Sequence, residues 1–269
     1  MTEIGPATAP LITIRGLSKS FGDKPVLRGI TLDVMPGQVL GYIGPNGAGK
    51  TTTVKILTGM LDGFGGQATV CGFDVAREPL EVKRRIGYVP ESAALYEALT
   101  PREYLRFIGQ LYRLGDDEVE RRTTEMLGLF DLGGELDQRM STFSKGMRQK
   151  VLIVAGLIHN PQVIFLDEPL SGLDANSVVV VKEIITRLAR SGRAVFYCSH
   201  VMDVVERICD RIIIISEGQI IADGTFEQLQ GTSHAASLER IFTQLTSAGG
   251  HEAVADRFVQ ILERPADHG

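Results

Sequence analysis

The segment that most constrains this chain is G-P-N-G-A-G-K-T, residues 44–51. It follows the apolar run 39–43 and precedes a stretch, 52–57, with helical character. This is the phosphate-loop pattern G-x-x-x-x-G-K-[ST] in the strand–loop–helix setting that it requires. The glycines let consecutive backbone N–H groups point at a phosphate, and the following helix adds the positive end of its dipole. The segment predicts a nucleotide phosphate site, with a charge from Lys50 and a hydroxyl for Mg²⁺ from Thr51.

Composition excludes several classes of protein. Of the 269 residues, 43% are hydrophobic and 23% charged, which is typical of a folded globular chain. The net charge of −5 and the scattered basic residues argue against a nucleic-acid partner. Three cysteines without a C-x-x-C pair suit a reducing compartment. No signal segment is visible, and the longest apolar run, 151–158, is far too short to span a membrane, so we expect another chain to make any membrane crossing.

The order of apolar segments predicts an α/β fold. Residues 1–10 suggest a loose tail, and strands are expected at 11–14, 30–34, 67–71 and 86–89. From Phe143 onward helices alternate with the strands 163–166, 194–199 and 212–215, which lack polar alternation. This pattern indicates a parallel sheet covered on both faces. Ligands bind such sheets at the carboxyl ends of the strands, where Gly44, Asp167 and His200 all fall.

A helical insertion of about 50 residues interrupts this alternation. T-P-R-E at 100–103 is a capping box with proline at the first helical position. The residues predicted to share one face of the helix are Tyr104, Leu105, Ile108, Leu111 and Tyr112. A second amphipathic segment covers 117–130. The insertion serves either packing or a partner surface.

Three further positions carry candidate chemistry. Asp167 and Glu168 end an apolar strand, where the first carboxylate is suited to Mg²⁺ and the second to polarising the attacking water; the alternative is a surface acidic pair. His200 follows its strand directly and is suited to a hydrogen bond with the terminal phosphate. Phe21, upstream of the loop, is either a core residue or a platform for a purine.

Taken together, these motifs resemble those of the ATP-binding subunits of ABC transporters. In order they are Phe21, the phosphate loop, Y-V-P-E, F-S-K-G-M-R-Q-K, V-I-F-L-D-E-P-L-S-G-L-D and C-S-H. The resemblance spans roughly residues 11–245. Within the family, the chain is most similar to the ATPase subunits of type-two bacterial exporters. Three features indicate this branch: S-K-G-M-R-Q-K, the glutamate after Y-V-P and S-L-E-R-I-F-T-Q-L-T. The resemblance implies a phosphate-loop ATPase core with a mainly parallel sheet and an antiparallel β lobe. It also implies a helical subdomain at about 92–140 and a C-terminal tail at 246–269.

The resemblance also assigns roles to residues. Phe21 would stack on adenine, and the phosphate cradle would comprise Gly44, Pro45, Asn46, Gly47, Ala48, Gly49, Lys50, Thr51 and Thr52. Mg²⁺ would be held by Thr51, Asp167 and Glu91, with Glu168 as general base and His200 completing the site. The residues expected to contact ATP held by a second ATPase subunit are Ser144, Gly146 and Met147. Asp174 would cross that interface.

Two departures from the family pattern bear on these roles. Glu91 replaces a glutamine, so a neutral contact to metal and water becomes a charged one near the γ-phosphate. In the stretch S-K-G-M-R-Q-K at 144–150, the signature segment, Lys145 replaces a glycine of the family pattern. It adds a charge that points either toward the phosphates or away from them.

The resemblance predicts the motor subunit of a membrane exporter. It implies ATP and Mg²⁺ as ligands, an identical second ATPase subunit, and a transmembrane permease that contacts residues 91–138 at the cytoplasmic face of the cell membrane. Two alternatives stay open: an importer ATPase, and a soluble ABC-type regulator of ribosomes or DNA, which usually carries tandem nucleotide domains or a long coiled coil. A phosphate-loop GTPase is disfavoured, because no N-K-x-D-like segment is visible.

Overall fold

The apolar strands assemble into two sheets in the computed structural model, which describes residues 9–91, 95–233, 235–246, 257–259 and 261. The strands are β1 (Ile12–Phe21), β2 (Lys24–Val34), β3 (Val39–Ile43), β4 (Gly65–Val70), β5 (Phe73–Asp74), β6 (Ile86–Val89), β7 (Val163–Asp167), β8 (Ala194–Cys198), β9 (Arg211–Ser216) and β10 (Gln219–Gly224). The helices are α1 (Lys50–Leu57), α2 (Pro79–Lys83), α3 (Pro101–Leu111), α4 (Asp116–Gly128), α5 (Lys145–Leu157), α6 (Ala175–Arg190), α7 (Met202–Ile208), α8 (Phe226–Ser233) and α9 (Leu238–Thr246).

The larger sheet has the order β10-β9-β3-β8-β7-β6, and every neighbouring pair is parallel except β9 and β10. The smaller sheet, β2-β1-β4-β5, is antiparallel throughout. The predicted fold class, a mainly parallel core sheet with an antiparallel lobe, is confirmed.

The central strands are buried on both faces, as their unbroken apolar sequences predict. Along β7, Val163 and Phe165 pack toward the antiparallel lobe, whereas Ile164 and Leu166 pack toward α5 and α6. The same alternation holds along β8 and β9. Because side chains of a strand point to opposite faces in turn, the sheet divides the core into two apolar clusters. This leaves the carboxyl-terminal edge of the sheet for polar groups.

Two details of the strands differ from the sequence prediction. The segment from Ser18 to Lys24 was expected to lie between strands, but β1 runs to Phe21 and β2 begins at Lys24, so it closes a hairpin through Gly22, whose φ is 58°. The edge strands β5 and β10 were not predicted. β5 has only two residues, and in β10 only the last residue, Gly224, is buried. Neither strand therefore has the long apolar run by which strands were recognised in the sequence.

The predicted capping box begins α3. The Thr100 side chain accepts a hydrogen bond from the Glu103 backbone N–H at 3.2 Å, and the Thr100 N–H donates to the Glu103 carboxylate at 2.9 Å. The predicted apolar face was wrong at Leu111, which is 63% exposed. The rest of the face holds for Leu105, which is buried, and for Tyr104 and Ile108, which pack against the core. Gly109 is also buried, because Val119 of α4 packs closely over it.

This cap gives a first testable expectation. Thr100→Ala leaves the Glu103 N–H without its acceptor, and we expect the free energy of unfolding to fall by about 1 kcal/mol. In a thermal melt this corresponds to a decrease in Tm of about 2–4 °C. Thr124→Ala, at an exposed position inside α4, is the matched control and should not lower Tm, because alanine favours a helix interior. Equal melting temperatures for the two variants would contradict the capping role.

The predicted tails lie largely outside the part of the chain that the structure describes. Residues 1–8 of the expected N-terminal tail, residues 92–94 at the start of the helical subdomain, and most of the expected tail 246–269 lie outside the described residues. Among the residues the structure describes, none belongs to a helix with the length and apolar character needed to cross a membrane.

Candidate nucleotide site

The site lies where three adjacent parallel strands end. In the sheet, β8 lies between β3 and β7, so their carboxyl ends meet at one edge. Gly44 follows β3, Asp167 ends β7, and His200 follows β8 after one residue. The predicted meeting of these three positions follows from the strand order. Strands from distant parts of the sequence therefore deliver the charged groups to one place.

The phosphate loop has the backbone that its glycines allow. A side chain at Gly44 would collide with the carbonyl oxygen of Ile215, because the loop passes close to the end of β9. Gly49 precedes α1 with a φ of 110°, in the left-handed region that favours glycine. Next to them, Gly47 (φ 80°) faces open space on the side where a Cβ would project. The loop thus leaves room for a ligand against its backbone.

The ammonium group of Lys50 lies inside this loop. It donates hydrogen bonds to the carbonyl oxygens of Gly44 at 2.6 Å and Pro45 at 3.2 Å. Thr53, one turn further, is buried and donates to the Gly49 carbonyl at 3.0 Å, which fixes the start of α1. The positive charge is therefore held over the loop rather than extended into solvent.

The acidic side of the site is electrostatically unfavourable by itself. Asp167 is 6% exposed, and burial, followed by the negative charges of Glu91 and Glu168, raises its pKa to about 6. The nearby ammonium groups of Lys50 and Lys55 act in the opposite direction. A buried carboxylate with acidic neighbours and an incomplete set of compensating charges is suited to a divalent cation.

This shift predicts a pH-dependent stability. A carboxyl whose pKa is higher in the folded than in the unfolded chain destabilises the fold once it ionises. Asp167→Asn should therefore raise the Tm at pH 7.5, by about 2–5 °C. The gain should shrink as the pH falls below about 6, the pKa to which burial raises Asp167, and vanish near the ordinary aspartate value. Thermal melts at pH 7.5, 6 and 4.5 without added metal test this. A gain that is constant across these pH values would contradict it.

Glu168 is aimed by hydrogen bonds from the next strand. Its carboxylate accepts from the Ser199 hydroxyl at 2.9 Å and from the His200 backbone N–H at 2.7 Å. The His200 ring nitrogen Nδ1 lies 2.8 Å from the same carboxylate, and the histidine side chain is 78% exposed. Glu168 itself adopts a φ of 50°, a conformation uncommon for a residue other than glycine. The glutamate and histidine thus form one hydrogen-bonded unit facing the ligand space.

One pocket of about 860 Å³ connects these groups. Among the predicted site residues, those that line it are Gly44, Pro45, Asn46, Gly47, Gly49, Lys50, Thr51, Thr52, Glu91, Asp167, Glu168 and His200. Ala48 is buried beneath the loop. Within the described parts of the chain no group of three His, Cys, Asp or Glu residues is arranged to hold a metal ion unaided. The carboxylate of Asp167 and the hydroxyl of Thr51, which both line the pocket, fit Mg²⁺. This ion is commonly held by one or two carboxylates together with substrate phosphates and water.

Sequence reasoning missed several lining residues. They are Lys24 and Val26 of β2, Met202 of α7, and Glu239, Phe242 and Thr243 of α9. Ser199, which holds Glu168, was also not singled out. The α9 segment, S-L-E-R-I-F-T-Q-L-T, was noted as part of the family resemblance but was given no role in the site. Its approach to the phosphate loop depends on tertiary packing, for which no local sequence signal exists.

Phe21 does not line the pocket, although its neighbours on β2 do. It ends β1 opposite Lys24, and its ring is 51% exposed. The ammonium group of Lys19 lies 5.3 Å from the centre of the ring. The interpretation of Phe21 as a core residue is therefore wrong, because a side chain at this hairpin end projects from the sheet. An exposed aromatic face is available beside the pocket.

The signature segment lies apart from this pocket. The Ser144 side chain caps α5 by accepting a hydrogen bond from the Met147 N–H at 3.2 Å. Gly146 packs so closely on the Gly172 carbonyl that a side chain there would force one of them to move. Lys145 runs along Gly172 and donates to the Ser171 hydroxyl at 2.7 Å. Ser144, Gly146 and Met147 are not among the residues lining the 860 Å³ pocket of their own chain.

Fold and site together define a phosphate-loop nucleotide hydrolase. The sequence model described as "ABC transporter" matches residues 27–171, and the chain belongs to the ABC transporter family as an ATP-binding, ATP-hydrolysing subunit. It is 37% identical to the ABC transporter ATP-binding protein NatA of Bacillus subtilis (strain 168), over 86% of this chain and 96% of the relative. It is also 37% identical to the daunorubicin resistance ATP-binding protein DrrA2 of Streptomyces coeruleorubidus, over 95% of this chain and 77% of the relative.

A solved structure described as an ATP binding subunit of an ABC transporter matches the fold. Its TM-score is 0.83 at 33% sequence identity, covering 88% of this chain and 100% of that chain. The resemblance inferred from the motifs is confirmed, and so are ATP as ligand and ATP hydrolysis as activity.

Proposed function

We propose that this chain is the motor of an ABC-type exporter and works as a pair of identical copies. Two ATP molecules are sandwiched between the copies, and hydrolysis to ADP and phosphate reopens them. Some relatives carry names for resistance to daunorubicin and linearmycin, which are properties of those proteins. For this chain they favour outward transport over the importer alternative.

The observation that supports a paired motor is the separation of two half-sites on one chain. The phosphate loop, Asp167 and Glu168 line one pocket, whereas Ser144 caps a helix elsewhere. A hydroxyl that accepts an N–H bond at a helix N-terminus still has its own proton to donate, and the helix dipole there favours an anion. A second copy would bring its Ser144, Gly146 and Met147 to the terminal phosphate, and Asp174 to the interface.

Within each pocket we assign the following roles. Lys50 and the loop N–H groups hold the phosphates, while Thr51, Asp167 and Glu91 hold Mg²⁺, which neutralises phosphate charge when bound. Glu168, aimed by Ser199 and His200, orients the attacking water and accepts its proton. His200 contacts the terminal phosphate from its exposed position. Phe21 stacks on the adenine ring.

The docking surface for a transmembrane permease is a groove between α3, α5 and β6. The groove has a volume of about 330 Å³, and its lining includes Met60, Ile108 and His159. Beside it, the exposed rings of Tyr96 and Phe107 pack edge-to-face at 6.1 Å. Exposed aromatic and apolar groups that cluster in this way are typical of protein interaction sites. A permease bound here would hold the chain at the cytoplasmic face of the cell membrane.

The decisive experiment is to tag the full chain, extract native membranes in mild detergent and identify by mass spectrometry what copurifies. A multi-spanning protein together with ATPase activity would support the exporter motor. A partner-free ATPase, or one bound to ribosomes, would instead favour the soluble regulator. Copurification of a substrate-binding protein would favour the importer.

A single charge in the groove should separate the permease from the ATPase. Ile108→Asp places a carboxylate among the groove's apolar side chains, and we expect recovery of the permease to fall at least about tenfold. Leu111→Asp makes the same change on the same helix, at a residue outside the groove that is 63% exposed, and should not alter recovery. Basal ATPase activity of both variants reports on folding. Equal permease recovery from the two variants would contradict this docking surface.

A further inference from the structure

The pocket that contains the phosphate loop has one wall from the C-terminal part of the chain. Glu239, Phe242 and Thr243 of α9 line it, and their spacing of three and four residues puts them on one helix face. These residues lie well beyond residue 171, where the family model ends its match. The site therefore includes a segment beyond the part of the chain that the family model matches.

This helix is held firmly in place. Leu238 and Ile241 are buried, and the Leu238 N–H donates to the Glu206 carboxylate of α7 at 3.1 Å. Helix α7 begins two residues after His200, and its Met202 lines the same pocket. The pocket-facing side of α9 is thus fixed relative to the histidine by direct packing. Glu239 therefore places its charge in the wall of the pocket.

The carboxylate of Glu239 brings a further negative charge to this wall of the pocket. Glu239 is exposed, and in the described parts of the chain its carboxylate has no cation within ion-pair distance. It adds a fourth carboxylate to a pocket that already holds Glu91, Asp167 and Glu168, against the two ammonium groups of Lys24 and Lys50. This further negative charge opposes the binding of an anionic triphosphate unless a positive charge offsets it.

The signature segment, in contrast, carries an excess of positive charge. Arg148 and Lys150 pair with Glu97 and Asp174 of the same chain. Lys145 is exposed and donates to the Ser171 hydroxyl, but it has no carboxylate partner among the residues that the structure describes. The signature therefore offers one unpaired positive charge on the surface that the second copy would press against the pocket.

We propose that Glu239 is the receptor for Lys145 of the second copy. When two chains close over ATP, this ion pair forms across the interface beside the terminal phosphate and removes the excess negative charge from the pocket wall. The inference rests on the proposed paired motor. This single contact accounts both for the position of α9 and for the lysine that replaces a glycine of the signature segment. Opposite charges that meet across an interface set its register and its specificity.

The test is a charge-swap cycle in the full chain, in a Glu168→Gln background that retains ATP. Glu239→Lys and Lys145→Glu each place two like charges together, and we expect each to weaken ATP-dependent dimerisation at least about tenfold. The double swap recreates the pair in reverse and should restore the dimerisation constant to within about threefold of the parent. Sedimentation equilibrium with Mg·ATP gives these constants, and the loss should be smaller in high salt.

Arg240→Glu is the matched control for the folding of α9. It reverses a charge on the next residue of the same helix, which is exposed and does not line the pocket. It should leave dimerisation unchanged. If the double swap dimerises no more tightly than either single variant, the ion pair is overturned while the paired motor stays intact. If the parent itself forms no ATP-dependent dimer, both the paired motor and this inference are overturned.

Discussion

Glu168→Gln should retain ATP binding but reduce the rate of ATP hydrolysis by about 10²- to 10⁴-fold. The amide keeps the shape of the carboxylate but lacks its basicity, so it does not accept the proton of the attacking water. Its carbonyl oxygen still accepts from the His200 N–H, and its amino group donates to the Ser199 hydroxyl, which is free to rotate. We expect an ATP-bound dimer to accumulate.

Glu217→Gln is the matched control for this change. Like Glu168, Glu217 directly follows a strand of the large sheet in the left-handed region, with a φ of 47°, but it lies outside the pocket. Phosphate release under steady-state conditions and size-exclusion chromatography with ATP measure turnover and dimer separately. Normal turnover by Glu168→Gln would remove this residue from the role of general base.

Lys50→Ala should raise the Kd for ATP by at least about 100-fold. The variant loses the only full positive charge held over the loop carbonyls of Gly44 and Pro45 among the described residues of that loop. Hydrogen bonds from an ammonium group to phosphate oxygens contribute about 1.5–3 kcal/mol each, so the loss of two accounts for the expected change. Titration calorimetry with a slowly hydrolysed ATP analogue gives the constant directly.

Lys55→Ala tests whether the effect is one of position or of charge. Lys55 lies on the same helix and its charge also acts on Asp167, but it is absent from the pocket lining. We expect its Kd to stay within about threefold of the parent. Similar losses of affinity for both lysines would show that the loop senses only net charge, and Lys50 would then have no specific role.

Local patterns in the sequence predicted the frame of the site well. The central strands were recognised because residues such as those from Val163 to Leu166 form unbroken apolar runs, and the strand ends then located Asp167 and Glu168. The capping box at Thr100 was recognised because its two side chains, Thr100 and Glu103, lie three residues apart in the sequence. Each of these signals lies within a few positions along the chain.

The remaining features arise from contacts between distant segments. That α9 reaches the nucleotide pocket depends on its packing against α7 and α8, and nothing near Glu239 in the sequence indicates it. The direction of Lys145 follows from the close approach of Gly146 to Gly172. The high pKa of Asp167 is caused by burial and by carboxylates that other elements supply. The sequence alone identifies these residues, but it does not give the distances between them in the folded chain.

Helix α5 connects the two surfaces on which the proposed function depends. Its N-terminus carries Ser144, and just past its C-terminus the His159 ring stacks on Tyr112 of the groove at 3.6 Å and bonds the Ile86 carbonyl at 2.8 Å. Its thirteen residues make a rod about 20 Å long. A helix bends little along its axis, so in the proposed motor a shift of Ser144 on contact with ATP would reach His159 at the other end of α5. The nucleotide contact and the permease groove would then be coupled through this one helix.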